Sequence, residues 1–156
     1  MSKPLVIRVG GTSGDHVFFN RNQDNGTYSK SGPESKKNSK DTFYIGPSYF
    51  DTFKRFQKAS MSIKAPMGAE VDMENTVAYI QQAWKALGKS RLAAIALGNE
   101  PNSYRKSEET LTLYVIDALD VESQIIKNLS LIGDDSHIFQ VGEIASRSVL
   151  SDKFNL

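Results

Sequence analysis

The feature that most constrains this chain is Leu92-Ala-Ala-Ile-Ala-Leu97, an apolar run with no polar interruption. Turn-forming sequence bounds it, with Gly88 before and Gly98-Asn99 after. Successive side chains of a strand point to opposite faces, so a strand with one wet face alternates polar and apolar residues. A short unbroken apolar run between turns reads instead as a strand buried on both faces, as in a parallel sheet. Parallel neighbours need long crossovers, usually helical.

The flanking sequence supplies them. Leu5-Val-Ile-Arg-Val9 is a β-branched run that stops at Gly10-Gly11. From Asn20 to Asp41 the chain is polar, and the reading there is one long surface loop whose Lys30, Lys36, Lys37 and Lys40 form a solvated face. Pro47-Ser48 opens a helix in which Tyr49, Phe50, Phe53 and Phe56 are expected to face the core. Met61-Ser-Ile-Lys-Ala65 alternates as a strand and stops at Pro66. Asp72 or Asn75 caps the next helix, Val77, Ile80, Trp84 and Leu87 form its buried stripe, and Gly88 ends it. A longer helix carries Leu111, Tyr114 or Val115, Ala118, Val121, Ile125 and Leu129, and Gly133 breaks it. His137 to Val141 is a last strand.

This order, β-α-β-α-β-α-β, is that of an α/β fold with parallel strands. It fits a doubly wound sheet or half of an eight-stranded β/α barrel, and periodicity does not choose between them. The two folds share one property: their chemistry sits at the C-terminal ends of the strands.

Composition excludes several classes of function. Net charge is +1, which offers no strong field to nucleic acid or anionic membrane. With no cysteine, a disulfide framework, a thiolate-bound metal and a thiol nucleophile are all ruled out. No apolar run approaches the ~18 residues of a membrane span. Met1 to Arg8 lacks the apolar core of a signal peptide. Asn25-Gly-Thr27 and Asn128-Leu-Ser130 match the N-glycosylation pattern, which often arises by chance.

Two strand ends carry the polar residues that chemistry would need. One is Arg8-Val-Gly-Gly-Thr-Ser-Gly-Asp15 and the other Gly98-Asn-Glu-Pro-Asn102. Glu100 follows the most apolar strand in the chain, so its carboxyl group lies at the rim of an active-site face beside low-dielectric walls. Asn99 precedes it with a hydrogen-bonding amide, and Pro101 fixes the backbone beyond it. Read blandly, Glu100 is an ordinary acid near a helix start, where acids are common.

Ala96-Leu-Gly-Asn-Glu-Pro-Asn-Ser-Tyr104 resembles the acid/base segment at the end of the fourth barrel strand of glycoside hydrolase family 79, which holds heparanases and β-glucuronidases. Ile7-Arg-Val-Gly-Gly-Thr-Ser-Gly-Asp-His-Val-Phe-Phe19 resembles the Arg-Phe/Val-Gly-Gly-Thr segment after the second barrel strand of the same enzymes. The Asn-Glu-Pro motif marks the wider clan of retaining (β/α)8 glycosidases; its combination with Arg-Val-Gly-Gly-Thr points to this family. The resemblance implies a partial (β/α)8 TIM barrel over residues 1–156, holding strands two to five and truncated at both ends. It makes Glu100 the general acid/base and Asn99 the ligand of the sugar 2-hydroxyl. Thr12, Asp15 and Tyr104 become candidate substrate contacts, and Arg8 either an electrostatic support or a structural ion-pair member. Ala65-Pro-Met-Gly68 departs from the family's Asn-rich turn, which removes support for a sugar contact there.

Retaining hydrolysis needs two carboxylates about 5 Å apart. In this clan the nucleophile follows the seventh strand, so the expectation is that this chain contains none and that the missing barrel half belongs to a full-length protein. Glu143 follows the wrong strand to replace it, and Glu70 and Asp72 read as helix-start acids. The resemblance further implies a carbohydrate substrate, no metal or organic cofactor, and secretion of the full-length enzyme. Two other readings stand beside it. One is a shortened relative that binds carbohydrate or is inactive. The other is a doubly wound nucleotide-binding protein with Gly10 to Gly14 around a phosphate, although that segment fits neither common phosphate-loop spacing.

Overall fold

The computed structural model describes residues 5–29, 43–68, 72–101, 108–133 and 138–141. In chain order these form β1 (Leu5–Val9), β2 (Val17–Phe19), β3 (Thr27–Ser29), β4 (Phe43–Ile45), α1 (Pro47–Asp51), β5 (Ala59–Ala65), α2 (Met73–Leu87), β6 (Leu92–Leu97), α3 (Glu108–Leu129) and β7 (Phe139–Val141). Short 3-10 turns cover Thr12–His16 and Thr52–Arg55.

The main sheet has four strands in the order β1-β5-β6-β7, every pair parallel. Its register separates two faces. Ile7, Val9, Met61, Ile63, Ala65, Ile95 and Leu97 belong to one apolar core together with Val77, Ile80, Ala83 and Leu87 of α2, and Tyr114, Val121 and Ile125 of α3. On the opposite face Arg8 pairs with Ser62, Ser62 with Ala94, Lys64 with Ala96, and Ala96 with Gln140. That face is small and polar. Both long helices cover the same side of a sheet whose order follows the sequence without reversal. A doubly wound sheet reverses its order and places helices on both faces. The fold is therefore a singly wound α/β layer.

The helix signals act as the sequence anticipates. Asp72 caps α2, its Oδ1 accepting from the Asn75 amide at 2.6 Å. Gly88, at φ 69°, closes α2 with its N–H on the Trp84 carbonyl. Trp84 itself is half-buried against the core. On α3, Tyr114 rather than Val115 is the buried member of the stripe. The Tyr114 hydroxyl donates to the Leu97 carbonyl and so ties the helix to the end of β6.

Three expectations need correction. The polar stretch is not wholly a loop: Thr27–Ser29 is a strand within it, and β2, β4 and β3 form a separate three-stranded sheet between β1 and β5. Strands of three residues are too short to show a period of two, and β2 pairs with β4 across a wide sequence gap. The Asn75 side chain joins this sheet to α2, accepting from the Phe19 N–H at 3.0 Å and donating to the Phe19 carbonyl at 2.8 Å. Phe56 does not face the core; it is 49% exposed. The 3-10 turn after α1 changes the angular period, and Phe56 leaves helical geometry at φ −92°, ψ 65°. The residue serves through its backbone, whose carbonyl accepts from the Arg91 guanidinium at 3.0 Å. The expected strand from His137 begins at Phe139, with His137 itself outside the described residues.

Phe50 is fully buried, with edge-on ring contacts to Tyr79 at 5.1 Å and Tyr49 at 5.3 Å. Truncating a buried Phe removes its transfer free energy and leaves a cavity, costing about 3–5 kcal/mol. Phe50→Ala is expected to lose that much in urea unfolding, whereas Phe56→Ala stays within about 0.5 kcal/mol of the parent. Equal losses would contradict this packing.

Candidate active site

The C-terminal ends of β1, β5 and β6 converge on one polar cluster. Its centre is Lys64, 2% exposed, on the small-residue face of β5. Lys64 Nζ lies 2.8 Å from Asp15 Oδ1 and donates to the Gly11 carbonyl at 2.7 Å. The Asp15 carboxylate is also buried, and Asp15 Oδ1 accepts from the Asn99 N–H at 3.3 Å. The Asn99 side chain, 4% exposed, accepts at Oδ1 from the Arg8 guanidinium at 2.9 Å. Glu100 comes next on the same turn and is half-buried.

Backbone geometry sets this arrangement. Gly10 adopts φ +149°, and a Cβ there would stand 2.5 Å from the Lys64 Cβ, so only glycine lets the loop lie over the lysine. At the end of β6, Gly98 has φ 77° and donates to the Ala65 carbonyl at 3.2 Å. Glu100 has φ 48°, an uncommon conformation for a non-glycine residue. Such conformations persist where the surroundings over-determine them, and they concentrate at functional sites. Here Pro101, buried, comes immediately after, and Asn99 is held from two sides.

Burial pushes the Asp15 carboxyl above its ordinary value, and the hydrogen bond and charge of Lys64 act against that shift. Burial also pushes the Lys64 ammonium down; Asp15 opposes this, with a smaller contribution from Glu100 in the same sense and one from Arg8 against it. The cluster is an alternating array, Arg8–Asn99–Asp15–Lys64, under the turn that carries Glu100.

The sequence-derived residues thus separate. Arg8, Asn99, Asp15 and Glu100 come together. Thr12 is exposed at the start of the 3-10 turn, on the outer side of the loop. The Asp15 carboxylate, 1% exposed, is turned inward onto Lys64 and supports the loop from below. Arg8 meets the Asn99 amide oxygen at 2.9 Å. Tyr104, Glu70 and Glu143 lie outside the described residues, as do Lys30, Lys36, Lys37 and Lys40. Among the described residues no group of acids and histidines has the form of a metal site, and no helix is long and apolar enough to cross a membrane. Lys64 is the residue that sequence reasoning misses. Its alternating segment suggests a strand with a wet face, and only the neighbouring strands reveal that the face is closed.

The phosphate-loop reading of Gly10 to Gly14 fails on the same geometry. The Lys64 ammonium occupies the inside of that loop, 3.3 Å from a Cβ placed at Gly14. The glycines lead into a short 3-10 turn and then a strand, so no α-helix N-terminus faces them.

Comparison with known proteins places the chain near enzymes that act on glucuronides. No protein-family model matches it. A β-glucuronidase of Neurospora crassa is 30% identical over 115 aligned residues, covering 69% of this chain and 20% of that enzyme. The crystal structure of a 4-O-α-L-rhamnosyl-β-D-glucuronidase from Fusarium oxysporum 12S, in complex with Rha-GlcA, superposes with a TM-score of 0.61. Its identity is 23%, over 81% of this chain and 28% of that one, which establishes a shared fold. The chain is thus a mixed α/β protein with β-glucuronidase-like relatives, and it spans about a fifth of the length of the curated relative it matches.

Removing one member of a buried ion pair leaves the other uncompensated, at a cost of about 3–5 kcal/mol. Lys64→Met and Asp15→Asn are each expected to lower the urea midpoint, with the double variant recovering much of the loss. The pH dependence identifies the pair. In Lys64→Met the lysine's hydrogen bond and charge are gone, and burial, opposed by the backbone N–H groups of Met67 and Asn99, holds the folded pKa of Asp15 further above the unfolded value of about 3.9. The stability contributed by a raised carboxyl is complete below the unfolded pKa and is lost as pH rises through the folded one. The melting temperature of Lys64→Met, taken relative to the double variant, should therefore fall from pH 4 towards neutrality. A rise over that interval would refute the assignment.

Proposed function

We propose that this chain is part of the catalytic barrel of a retaining glycoside hydrolase of family 79 type, acting on glucuronic-acid-containing glycans or glycosides, with Glu100 as its general acid/base. The observation that carries this reading is the turn after β6, where Glu100 stands in an unusual backbone conformation beside an Asn99 anchored by Arg8 and Asp15. The 30% identity to a β-glucuronidase supports the substrate class. Sequential parallel strands with both long helices on one face support strands two to five of a (β/α)8 barrel.

In this mechanism Glu100 protonates the glycosidic oxygen as the aglycone departs, then takes a proton from the water that releases the sugar. The Asn99 side-chain oxygen accepts from Arg8, and in this reading its side-chain N–H groups are the donors to the sugar 2-hydroxyl. The other acids at the described strand ends have separate tasks: Asp15 is paired with Lys64, and Asp72 caps α2. The nucleophile this reaction needs, about 5 Å from Glu100, comes from elsewhere in the complete enzyme. Thr12 lies where a loop-borne substrate contact is available, and Tyr104 is a further candidate. No metal or organic cofactor takes part. A carbohydrate-binding relative without catalysis is the second reading, favoured by the absence of a free second carboxylate among the described residues at these strand ends.

The test uses aryl β-glucuronides whose leaving groups span a range of basicity, assayed on the protein that contains this chain. Glu100→Gln is expected to lower kcat by about 10²–10⁴-fold for the most basic leaving group and much less for the most acidic, because only the former needs protonation. Binding of glucuronate should persist in the variant. An unchanged kcat across the series would remove Glu100 from the acid/base role. Saturable glucuronate binding by a parent protein that hydrolyses nothing would establish the second reading.

A further inference from the structure

A groove of about 490 Å³ lies between the small sheet and the first turns of α2, lined in part by Phe18, Tyr44, Arg21, Asp72 and Glu74. It is separate from the turn that carries Glu100. Phe18 and Tyr44 are register partners on β2 and β4, so their side chains stand on the same face of that sheet. Their neighbours Phe19 and Ile45 point the other way, into the core. Both lining rings are half-buried, their centroids 5.8 Å apart and their planes inclined by only 33°. Edge-on pairing, seen between Phe50 and its neighbours, would offer no continuous surface. The two tilted rings share one face of the small sheet and together give the groove an apolar wall.

Polar groups surround this wall. Arg21 is exposed on one side, and Asp72 and Glu74 are exposed at the start of α2. Carboxylates accept from pairs of vicinal hydroxyls, and a guanidinium donates to hydroxyl and ring oxygens. The apolar face of an equatorially substituted pyranose matches an aromatic platform, while its rim of hydroxyls matches such groups. With two carboxylates against one guanidinium, the lining repels polyanions. The walls are also fixed in advance: Asn75 locks β2 to α2 through both backbone groups of Phe19, and the Asn20 N–H donates to the Ile45 carbonyl at 2.8 Å. Preorganisation of this kind lowers the cost of binding.

We propose that this groove is a second carbohydrate-binding site, which seats a neutral β-linked pyranose unit on Phe18 and Tyr44. It does not depend on the role of Glu100. The experiment is an amide-resolved NMR titration of the full chain with cellotetraose, with glucuronic acid and a sulfated oligosaccharide titrated separately. Cellotetraose should saturate shifts at Phe18, Arg21 and Tyr44. Tyr44→Ala should weaken that binding by about tenfold or more. Arg21→Ala, at an exposed position that the core does not use, provides a folded control and should weaken it as well. Glu100→Gln should leave cellotetraose binding unchanged, and glucuronic acid should perturb Asn99 and Glu100 instead. Absence of groove shifts with cellotetraose, shifts that survive both groove substitutions, or preference for the sulfated ligand would each overturn the proposal. Failure of glucuronic acid alone would count only against the Glu100 assignment.

Discussion

A lysine ammonium sealed under the ends of parallel strands needs an anion, and Asp15 supplies it at 2.8 Å. Much of the polar end of this sheet is arranged around that requirement. The loop after β1 must fold back over β5 to bring Asp15 to Lys64, and glycine at position 10 permits the approach. A second N–H of the lysine goes to the Gly11 carbonyl, so the ammonium also fixes the loop's backbone. Taking two charges out of water costs several kcal/mol for each, and a mutual attraction offsets this only with good geometry and further hydrogen bonds. The Asn99 N–H is one of those bonds, which connects the buried pair to the next strand end.

Through that bond, electrostatics is converted into backbone position. Glu100 is directly attached to a residue held by Arg8 on one side and by Asp15 on the other. The acid/base role proposed for Glu100 would require its carboxylate to be held within a fraction of an ångström. The polar layer beneath it provides such holding without placing another flexible side chain in the mouth. The apolar layer on the far side of the sheet contributes as well, because Tyr114 on α3 donates to the Leu97 carbonyl just before the turn.

The main architecture is legible in the sequence because it rests on long, regular patterns. The apolar run at 92–97, the stripe of α2 and its Asp72 and Gly88 ends all come from periodicity and capping chemistry. So do Arg8, Asn99 and Glu100 as members of one cluster, since strand ends in such sheets converge. The features that stay hidden depend on contacts distant in sequence. Lys64 looks like a solvent-facing residue of an alternating strand, and its burial is determined by a loop fifty residues earlier. The small sheet is invisible because three-residue strands carry no period. Phe56 departs from expectation because a helix that tightens after five residues no longer places its fourth aromatic beneath the first.

The Asn75 amide has a consequence beyond joining α2 to the small sheet. Its oxygen and nitrogen satisfy the N–H and carbonyl of Phe19, the groups that β2 would otherwise present to a further strand on the side away from β4. A side chain with one acceptor and two donors imitates a single peptide unit, and it does so at the margin of a sheet. Open margins recruit foreign strands and seed aggregation. One asparagine therefore acts as a stopper at the β2 edge of this sheet, closing one route by which unrelated chains would add to it.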